Sequence, residues 1–165
     1  IKAQYQHWIS YVPQDIHLFG GTIKQNILGI HKFIDDEWML ECSKMSGTDE
    51  FVRMHPAGYD MPLGERGAGL SGGQRQSVGI ARALINNSDI WMFDEPTNAM
   101  DQTSESIVLN NLMSKIEGKT LLLVTQKMSM VDLVDRIIVM NFGTKVLDGP
   151  KDEIINKLGN SGEKQ

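Results

Sequence analysis

The sequence has little of what would tie the chain to an oxidising compartment, a membrane interior or nucleic acid. Its single cysteine, Cys42, cannot form an internal disulfide, which favours a reducing cytosolic setting. No apolar run approaches the ~18 residues that a membrane-spanning helix requires, so the chain itself is expected to be soluble. Its 16 lysines and arginines against 21 aspartates and glutamates give a net charge of −5, without a basic run. Nucleic acid is therefore not expected as a partner.

What the sequence does contain is typical of a globular domain that buries a core. The 165 residues are 41% hydrophobic and 22% charged, close to the averages for globular proteins. The short apolar run at 90–93 predicts a buried strand, and the one at 121–124 predicts a parallel strand covered on both faces. Helical spacing of apolar residues marks 103–117 and 152–158. Because strands alternate with helices here, the second half predicts βαβ units and an α/β fold.

The first half has a different character. Residues 21–87 are predicted to be mainly helical, with a glycine- and proline-rich loop over most of 56–73. The predicted organisation is therefore an α/β core of 1–20 and 88–158, a helical subdomain of 21–87 and a frayed tail of 159–165.

The most specific motif is the pentamer LSGGQ at 70–74. Ser71 is placed to cap a helix, while Gly72 and Gly73 leave the backbone N–H groups of its first turn open to close approach. The helix dipole favours negative charge at that point, so the motif predicts an anion site. The alternative is a glycine-rich loop that merely begins a helix.

A second motif follows the apolar run 90–93. Asp94 and Glu95 come directly after it, so a strand would place both carboxylates at the carboxyl edge of the sheet, where α/β proteins bind ligands. There Asp94 can hold a hydrated Mg²⁺, and Glu95 can orient an attacking water or accept its proton. The alternative is an acidic strand end that only meets solvent.

Together these motifs resemble the ATP-binding domain of ABC transporters. Gln14 after a strand resembles the Q-loop, 70–74 the signature and 90–95 the Walker B segment. Residues 98–101 resemble the D-loop, although Asn98 and Met100 stand where the family more often has Ser and Leu. The segment 64–67 resembles the exporter-type loop that contacts the transmembrane domain. Three further segments resemble bacterial type I secretion exporters: 12–15, 101–105 and 148–152.

The resemblance implies a RecA-like P-loop NTPase core, and this sequence lacks part of it. No G-x-x-x-x-G-K-[ST] motif occurs in the 165 residues, although that loop supplies the main phosphate grip. The fold implied is an incomplete parallel sheet, without the phosphate-loop strand, joined to a helical signature subdomain. That strand belongs between the strand ending at Thr125 and the one near Ile137, so we expect an interrupted sheet.

The resemblance also assigns roles to residues. ATP and Mg²⁺ are the implied ligands, with Gln14 and Asp94 at the metal, partly through water. Glu95 is the implied catalytic carboxylate. Gln126 occupies the position of the family's switch histidine, and no histidine occurs in 56–165. Gln126 can donate an amide hydrogen bond to a phosphate oxygen but does not titrate near neutral pH, so slowed or altered hydrolysis is expected, with a tolerated substitution as the alternative.

The implied partners are a second ATP-binding domain and the transmembrane domain of the same transporter. Two such domains would sandwich two ATP molecules, each bound also by the partner's Ser71, Gly72, Gly73 and Gln74. Asp101 would lie at the seam between them, and Glu65 and Arg66 would face the transmembrane helices. The parent protein would work at the cytoplasmic face of the inner membrane and export a protein or peptide. Without the phosphate loop, the present chain alone is expected to be inactive.

Two other functions are alternatives to this one. A regulatory module that binds ATP with little hydrolysis is favoured by Gln126 and opposed by Glu95. A DNA-repair or chromosome-structure ATPase is disfavoured, because that class inserts a long coiled coil before the signature and no sustained heptads occur here.

Overall fold

The computed structural model describes residues 8–31 and 34–162. Residues 1–7 of the predicted core, 32–33 of the predicted helical subdomain and 163–165 of the predicted tail lie outside this range. The strands are β1 (Ile9–Val12), β2 (Gly21–Thr22), β3 (Pro62–Leu63), β4 (Ile90–Asp94), β5 (Thr120–Val124), β6 (Arg136–Asn141) and β7 (Thr144–Pro150). The helices are α1 (Ile23–Leu28), α2 (Asp36–Met45), α3 (Thr48–Val52), α4 (Gly72–Leu84), α5 (Gln102–Met113) and α6 (Lys151–Gly162). The chain divides after Gln126 into two compact units, which are described separately.

The first unit contains a three-stranded parallel sheet in the order β1–β4–β5. Val12 pairs with Phe93, and Phe93 pairs with Leu123, so the three carboxyl ends lie side by side. This arrangement confirms the predicted α/β class with a parallel sheet. Strands β2 and β3 form a separate antiparallel pair.

The residues that the structure describes cover one face of the parallel sheet and leave much of the other face exposed. Val12, Trp91 and Phe93 point to the buried face, and the Trp91 and Phe93 rings stack at 5.7 Å. On the other face Tyr11 is 55% exposed, and Leu122 and Val124 are each 54% exposed. Alternate side chains of a strand meet opposite sides of the sheet, and Leu122 and Val124 lie on the exposed side. The expectation that β5 is covered on both faces is therefore wrong.

Helix α4 is the central helix of the first unit. Its Val78, Ile80 and Leu84 are buried, and the helix packs on α1, α2, α3 and β1. Helix α1 begins with a capping box in which Gln25 N–H donates to Thr22 Oγ1 and Thr22 N–H donates to Gln25 Oε1. The packing of α4 places its first turn beside the carboxyl edge of the sheet.

Helix α5 is shorter than the apolar spacing predicts. It ends at Met113, four residues before the predicted end at 117. Ser114 Oγ donates a hydrogen bond to the Asn111 carbonyl at 2.7 Å, a local bond that competes with helix continuation. Gly118 then adopts a left-handed φ of 77°, which turns the chain into β5.

The second unit contains a 3₁₀ helix (Met128–Leu133), the β6–β7 hairpin and helix α6. The strands are antiparallel, with an irregularity between Val139 and Met140. Met130, Leu133 and Ile154 form its buried apolar centre. Helix α6 continues to Gly162, past the predicted helix end at 158. The division of the chain into an α/β core and a helical subdomain stays a prediction.

The expected interruption of the sheet between β5 and the strand near Ile137 stays a prediction. Among the described residues, β5 pairs only with β4, and β6 pairs only with β7. The edge of β5 therefore has backbone groups that no described strand pairs.

Candidate functional site

The motif at 70–74 forms the amino terminus of helix α4, as predicted. Ser71 caps the helix by accepting from Gln74 N–H at 3.1 Å, and the Gln74 side chain accepts from Ser71 N–H at 2.9 Å. Ser71 is exposed, and Gly72, Gly73 and Gln74 are half-buried. The first turn of the helix is therefore open to a ligand rather than enclosed in the core.

The two glycines of the motif are needed for close packing. A Cβ at Gly72 would lie 3.0 Å from Ala99 Cβ, and one at Gly73 would lie 3.1 Å from the Ala99 carbonyl oxygen. At Gly73 the next atom, Met100 Cα, would be 3.3 Å away. Any side chain here would push the helix away from the segment that follows Glu95.

Four predicted residues lie at the carboxyl edge of the parallel sheet. Asp94 is the last residue of β4, and Glu95 follows it. Gln14 comes two residues after β1 ends, and Gln126 two residues after β5 ends. Since the three strands are parallel and adjacent, their carboxyl ends bring these residues to one edge. Gln14 and Gln126 are exposed, while Asp94 is half-buried.

Glu95 is held in an unusual backbone conformation. Its φ is 46°, in the left-handed region that residues with a Cβ adopt rarely. Its N–H donates to the Val124 carbonyl at 2.8 Å, and its carbonyl accepts from Asn98 N–H at 3.2 Å. The side chain is 9% exposed, and Thr125 Oγ1 lies 3.5 Å from Glu95 Oε2. Such strain is typical of functional positions that the surrounding structure fixes.

Asp101 caps helix α5 and lies near the signature helix. Its carboxylate accepts from Ser104 N–H at 2.9 Å and from Ser104 Oγ at 2.7 Å. These hydrogen bonds lower the pKa of Asp101. Asp101 also lines a cleft together with Ser71, Gly73 and Gln74, so the structure brings these predicted residues together.

A second cleft lies on the other side of the same helix terminus. It is lined in part by Gln14, Arg66 and Gly72. The carbonyl of Leu70 accepts from Arg75 Nη1 at 2.7 Å, which holds the arginine along this side. The first turn of α4 is therefore flanked by Gln14 on one side and by Asp101 on the other.

Sequence reasoning missed Gln76, which lies at the centre of these contacts. Its side chain is 5% exposed and bonds the backbone of the segment that contains Glu95. A glutamine on the buried side of an amphipathic helix is the signal that could have identified it, because buried amides need partners.

The residues present fit a magnesium ion that also takes ligands from water and phosphate. Mg²⁺ prefers oxygen donors and commonly uses only one or two protein carboxylates. Asp94 and Gln14 supply such oxygens at one edge of the sheet. Within 8–31 and 34–162, no group of three or more His, Cys, Asp or Glu could hold a metal ion.

Comparisons with known proteins agree with these features. A family model described as ABC transporter matches residues 1–98. Leukotoxin translocation ATP-binding proteins LktB of Pasteurella haemolytica-like sp. (strain 5943B) and Mannheimia glucosida are 40% identical over 147 residues. That match covers 89% of this chain and 21% of each relative, so the chain spans about a fifth of their length.

A solved structure resembles the chain in fold as well. A bacterial Atm1-family ABC exporter with ATP bound superposes with a TM-score of 0.88 and 29% sequence identity. The match covers 94% of this chain and 28% of that chain. No helix among the described residues has the length and apolar character needed to cross a membrane. With a family model that matches more than half of the residues, and the motifs gathered at one sheet edge, the chain belongs to the ABC transporter family.

Proposed function

We propose that this chain is part of the ATP-binding domain of an exporter that uses ATP hydrolysis to move a protein or peptide across a membrane. The observation that carries the proposal is the exposed first turn of α4, which opens between Gln14 and Asp101 beside the carboxylate-bearing sheet edge. Support for a secreted substrate comes from the LktB relatives, which are described as leukotoxin translocation proteins. The parent protein, its membrane domain and its place at the cytoplasmic face of the inner membrane are parts of the same proposal.

In this proposal two copies of the domain close on two ATP molecules. The N–H groups at Gly72 and Gly73 point from a helix terminus, where the dipole favours a phosphate. A nucleotide held mainly by one copy would thus be completed by Ser71, Gly72, Gly73 and Gln74 of the other. Asp101, beside the same turn, would lie at the seam between the copies. Glu65 and Arg66, in an exposed 3₁₀ turn, would contact the transmembrane domain.

Hydrolysis in this proposal depends on Glu95. Its carboxylate orients a water and accepts its proton as the water oxygen bonds to the γ-phosphorus and the bond from that phosphorus to the ADP oxygen breaks. When bound, Mg²⁺ would neutralise charge on the phosphate oxygens, with Asp94 and Gln14 as its protein ligands. Gln126 would donate its amide N–H to a phosphate oxygen without changing charge between pH 5 and 8.

The present chain is proposed to be inactive on its own. It contains no phosphate-loop motif, so it lacks the backbone cradle and the lysine that bind the β- and γ-phosphates. We expect no measurable ATPase activity from the 165 residues, and Mg-ATP binding weaker than millimolar by calorimetry.

The test is ATP hydrolysis by the full-length exporter with Glu95→Gln. Removing the proton acceptor is expected to lower kcat on the order of 10²-fold or more while ATP still binds. Asp89→Asn is the matched control, because Asp89 is an exposed acid at the opposite end of β4 and should leave kcat within about twofold.

Normal turnover by the Glu95→Gln protein would contradict the proposal. A wild-type exporter that binds ATP and closes its dimer, but cleaves almost none of it in a single turnover, would instead support the regulatory module.

A further inference from the structure

Gln76 is buried in helix α4, and its amide is fully directed at one neighbouring segment. Its Nε2 donates to the Glu95 carbonyl at 3.3 Å, and its Oε1 accepts from Ala99 N–H at 2.7 Å. The orientation of the amide follows from its partners, because a carbonyl can only accept and a backbone N–H can only donate. The side chain therefore bridges the two ends of the turn 95–99.

The turn that Gln76 bridges is the one that fixes Glu95. The backbone of Glu95 has a φ of 46° and is bonded on one side to the Val124 carbonyl and on the other to Asn98 N–H. Gln76 adds a bond from a different element, the signature helix. A strained conformation persists only when several contacts determine it, so each of these bonds contributes to where the Glu95 carboxylate points.

The same turn also contacts the first residues of α4. Gly72 and Gly73 approach Ala99 so closely that a Cβ at either would lie within about 3.1 Å of it. Ala99 is thus in contact with the glycines of the signature and hydrogen-bonded to Gln76. A shift of the helix terminus cannot leave the turn 95–99 in place, because packed interfaces of this kind move together.

We propose that Gln76 is a positioning residue that ties the backbone of Glu95 to the helix that begins at Ser71. This inference rests on the proposed function, in which that helix terminus meets the partner's nucleotide while Glu95 acts on the nucleotide of its own copy. Gln76 then connects the two ATP sites. A phosphate that draws the terminus of α4 toward the partner also adjusts Glu95.

The experiment uses the full-length exporter with Gln76→Glu, which keeps the size of the side chain and removes the donor to the Glu95 carbonyl. We expect kcat to fall at least tenfold, KM for ATP to change less than twofold, and the Hill coefficient for ATP to move toward 1. Val78→Ala is the matched control, since Val78 is fully buried on the same helix and has no part in the bridge. At a comparable loss of Tm it should keep its kcat within twofold and its Hill coefficient.

Each other outcome is informative. Wild-type kcat in the Gln76→Glu exporter, or an equal loss in Val78→Ala, overturns the positioning role. A fall in kcat with an unchanged Hill coefficient overturns the connection between the two sites. If Gln76→Glu does not assemble, Gln76→Met is judged by the same numbers. An active Glu95→Gln protein would mean that the proposed function fails, whereas an inactive one beside an unaffected Gln76→Glu means that only this inference fails.

Discussion

Gly79 in helix α4 offers a test in which local propensity and packing predict opposite signs. An alanine in a helix interior is favoured over glycine by about 1 kcal/mol, so Gly79→Ala would stabilise an isolated helix. In this fold, however, a Cβ at Gly79 would lie 2.5 Å from Ile16 Cδ1 and 2.9 Å from both Ile16 Cγ1 and Cγ2. The collision involves most of the side chain, so rotation of its far end does not remove it.

The two effects can be weighed. Overpacking of this kind costs about 1–3 kcal/mol, so the net change on Gly79→Ala is a destabilisation of about 0–2 kcal/mol. Ile16→Ala removes the three atoms nearest to that Cβ, so in this background the same substitution should stabilise by about 1 kcal/mol. The coupling energy of the double-mutant cycle should therefore be about 1–3 kcal/mol.

The assay is equilibrium urea unfolding of the complete ATP-binding domain of the parent, followed by tryptophan fluorescence. Buried Trp91 reports on the core of the sheet. Gly79→Ala that stabilises the wild-type background, or the same change in both backgrounds, would refute the packing argument. Ile16 lies two residues after Gln14, so Gly79→Ala should also raise KM for ATP by displacing the loop that contains both residues.

Three further predictions follow from the described contacts. Arg82 donates hydrogen bonds to the carbonyls of Asn26 and His17 and to Asn26 Oδ1. Arg82→Lys replaces the planar guanidinium by a single ammonium group, so it should lower the free energy of unfolding in urea by about 1–3 kcal/mol. Hydrogen bonds from Arg136 and Lys145 lower the pKa of Asp148. The Asp148 carboxylate therefore contributes to stability above its unfolded pKa of about 3.9, and this contribution is lost as the pH falls through the lower folded pKa. The Tm difference between wild type and Asp148→Asn should accordingly shrink from pH 7 to pH 3. Burial raises the pKa of Cys42 to about 12. A thiol reagent at pH 8 should therefore label Cys42 on the order of 100-fold more slowly in the native protein than in urea. Equal labelling rates would contradict its burial.

The helices and strands of the first unit could largely be predicted from the sequence, because each has a local signal. The capping box at Ser71 and the apolar run before Asp94 each specify an element without reference to the rest of the chain. The exposure of Leu122 and Val124 could not be predicted from the sequence, because a continuous apolar run has the same pattern whether one or both faces of its strand are covered. The end of α5 was missed because a side-chain hydrogen bond at Ser114 decided it.

The sequence predicts which residues form the candidate site, and the structure shows how their backbone is held. Motif order predicts functional positions for Gln14, Asp94, Glu95 and Asp101, but it gives no account of the contacts that hold these residues in place. Gln76 carries no charge, and its place on the buried side of helix α4 indicates that its amide needs a partner without showing which one. Its role depends on a backbone turn from elsewhere in the sequence, at 95–99. Contacts of this kind appear only when the tertiary structure is in hand.

Helix α4 organises the site because successive positions along it contact different segments. These positions recur every three residues along a stripe that winds around the helix: Gly73 on Ala99, Gln76 on Glu95, Gly79 on Ile16 and Arg82 on Asn26. Each contacted segment contains a residue proposed to act on ATP, lies next to one, or holds the loop that contains one. The helix is thus a single element whose terminus is proposed to meet a ligand and whose length sets the spacing between the segments of Glu95 and Gln14. For that reason, substitutions along the stripe should alter ATP hydrolysis more than their loss of stability accounts for, whereas substitutions at Val78 or Leu84 should not.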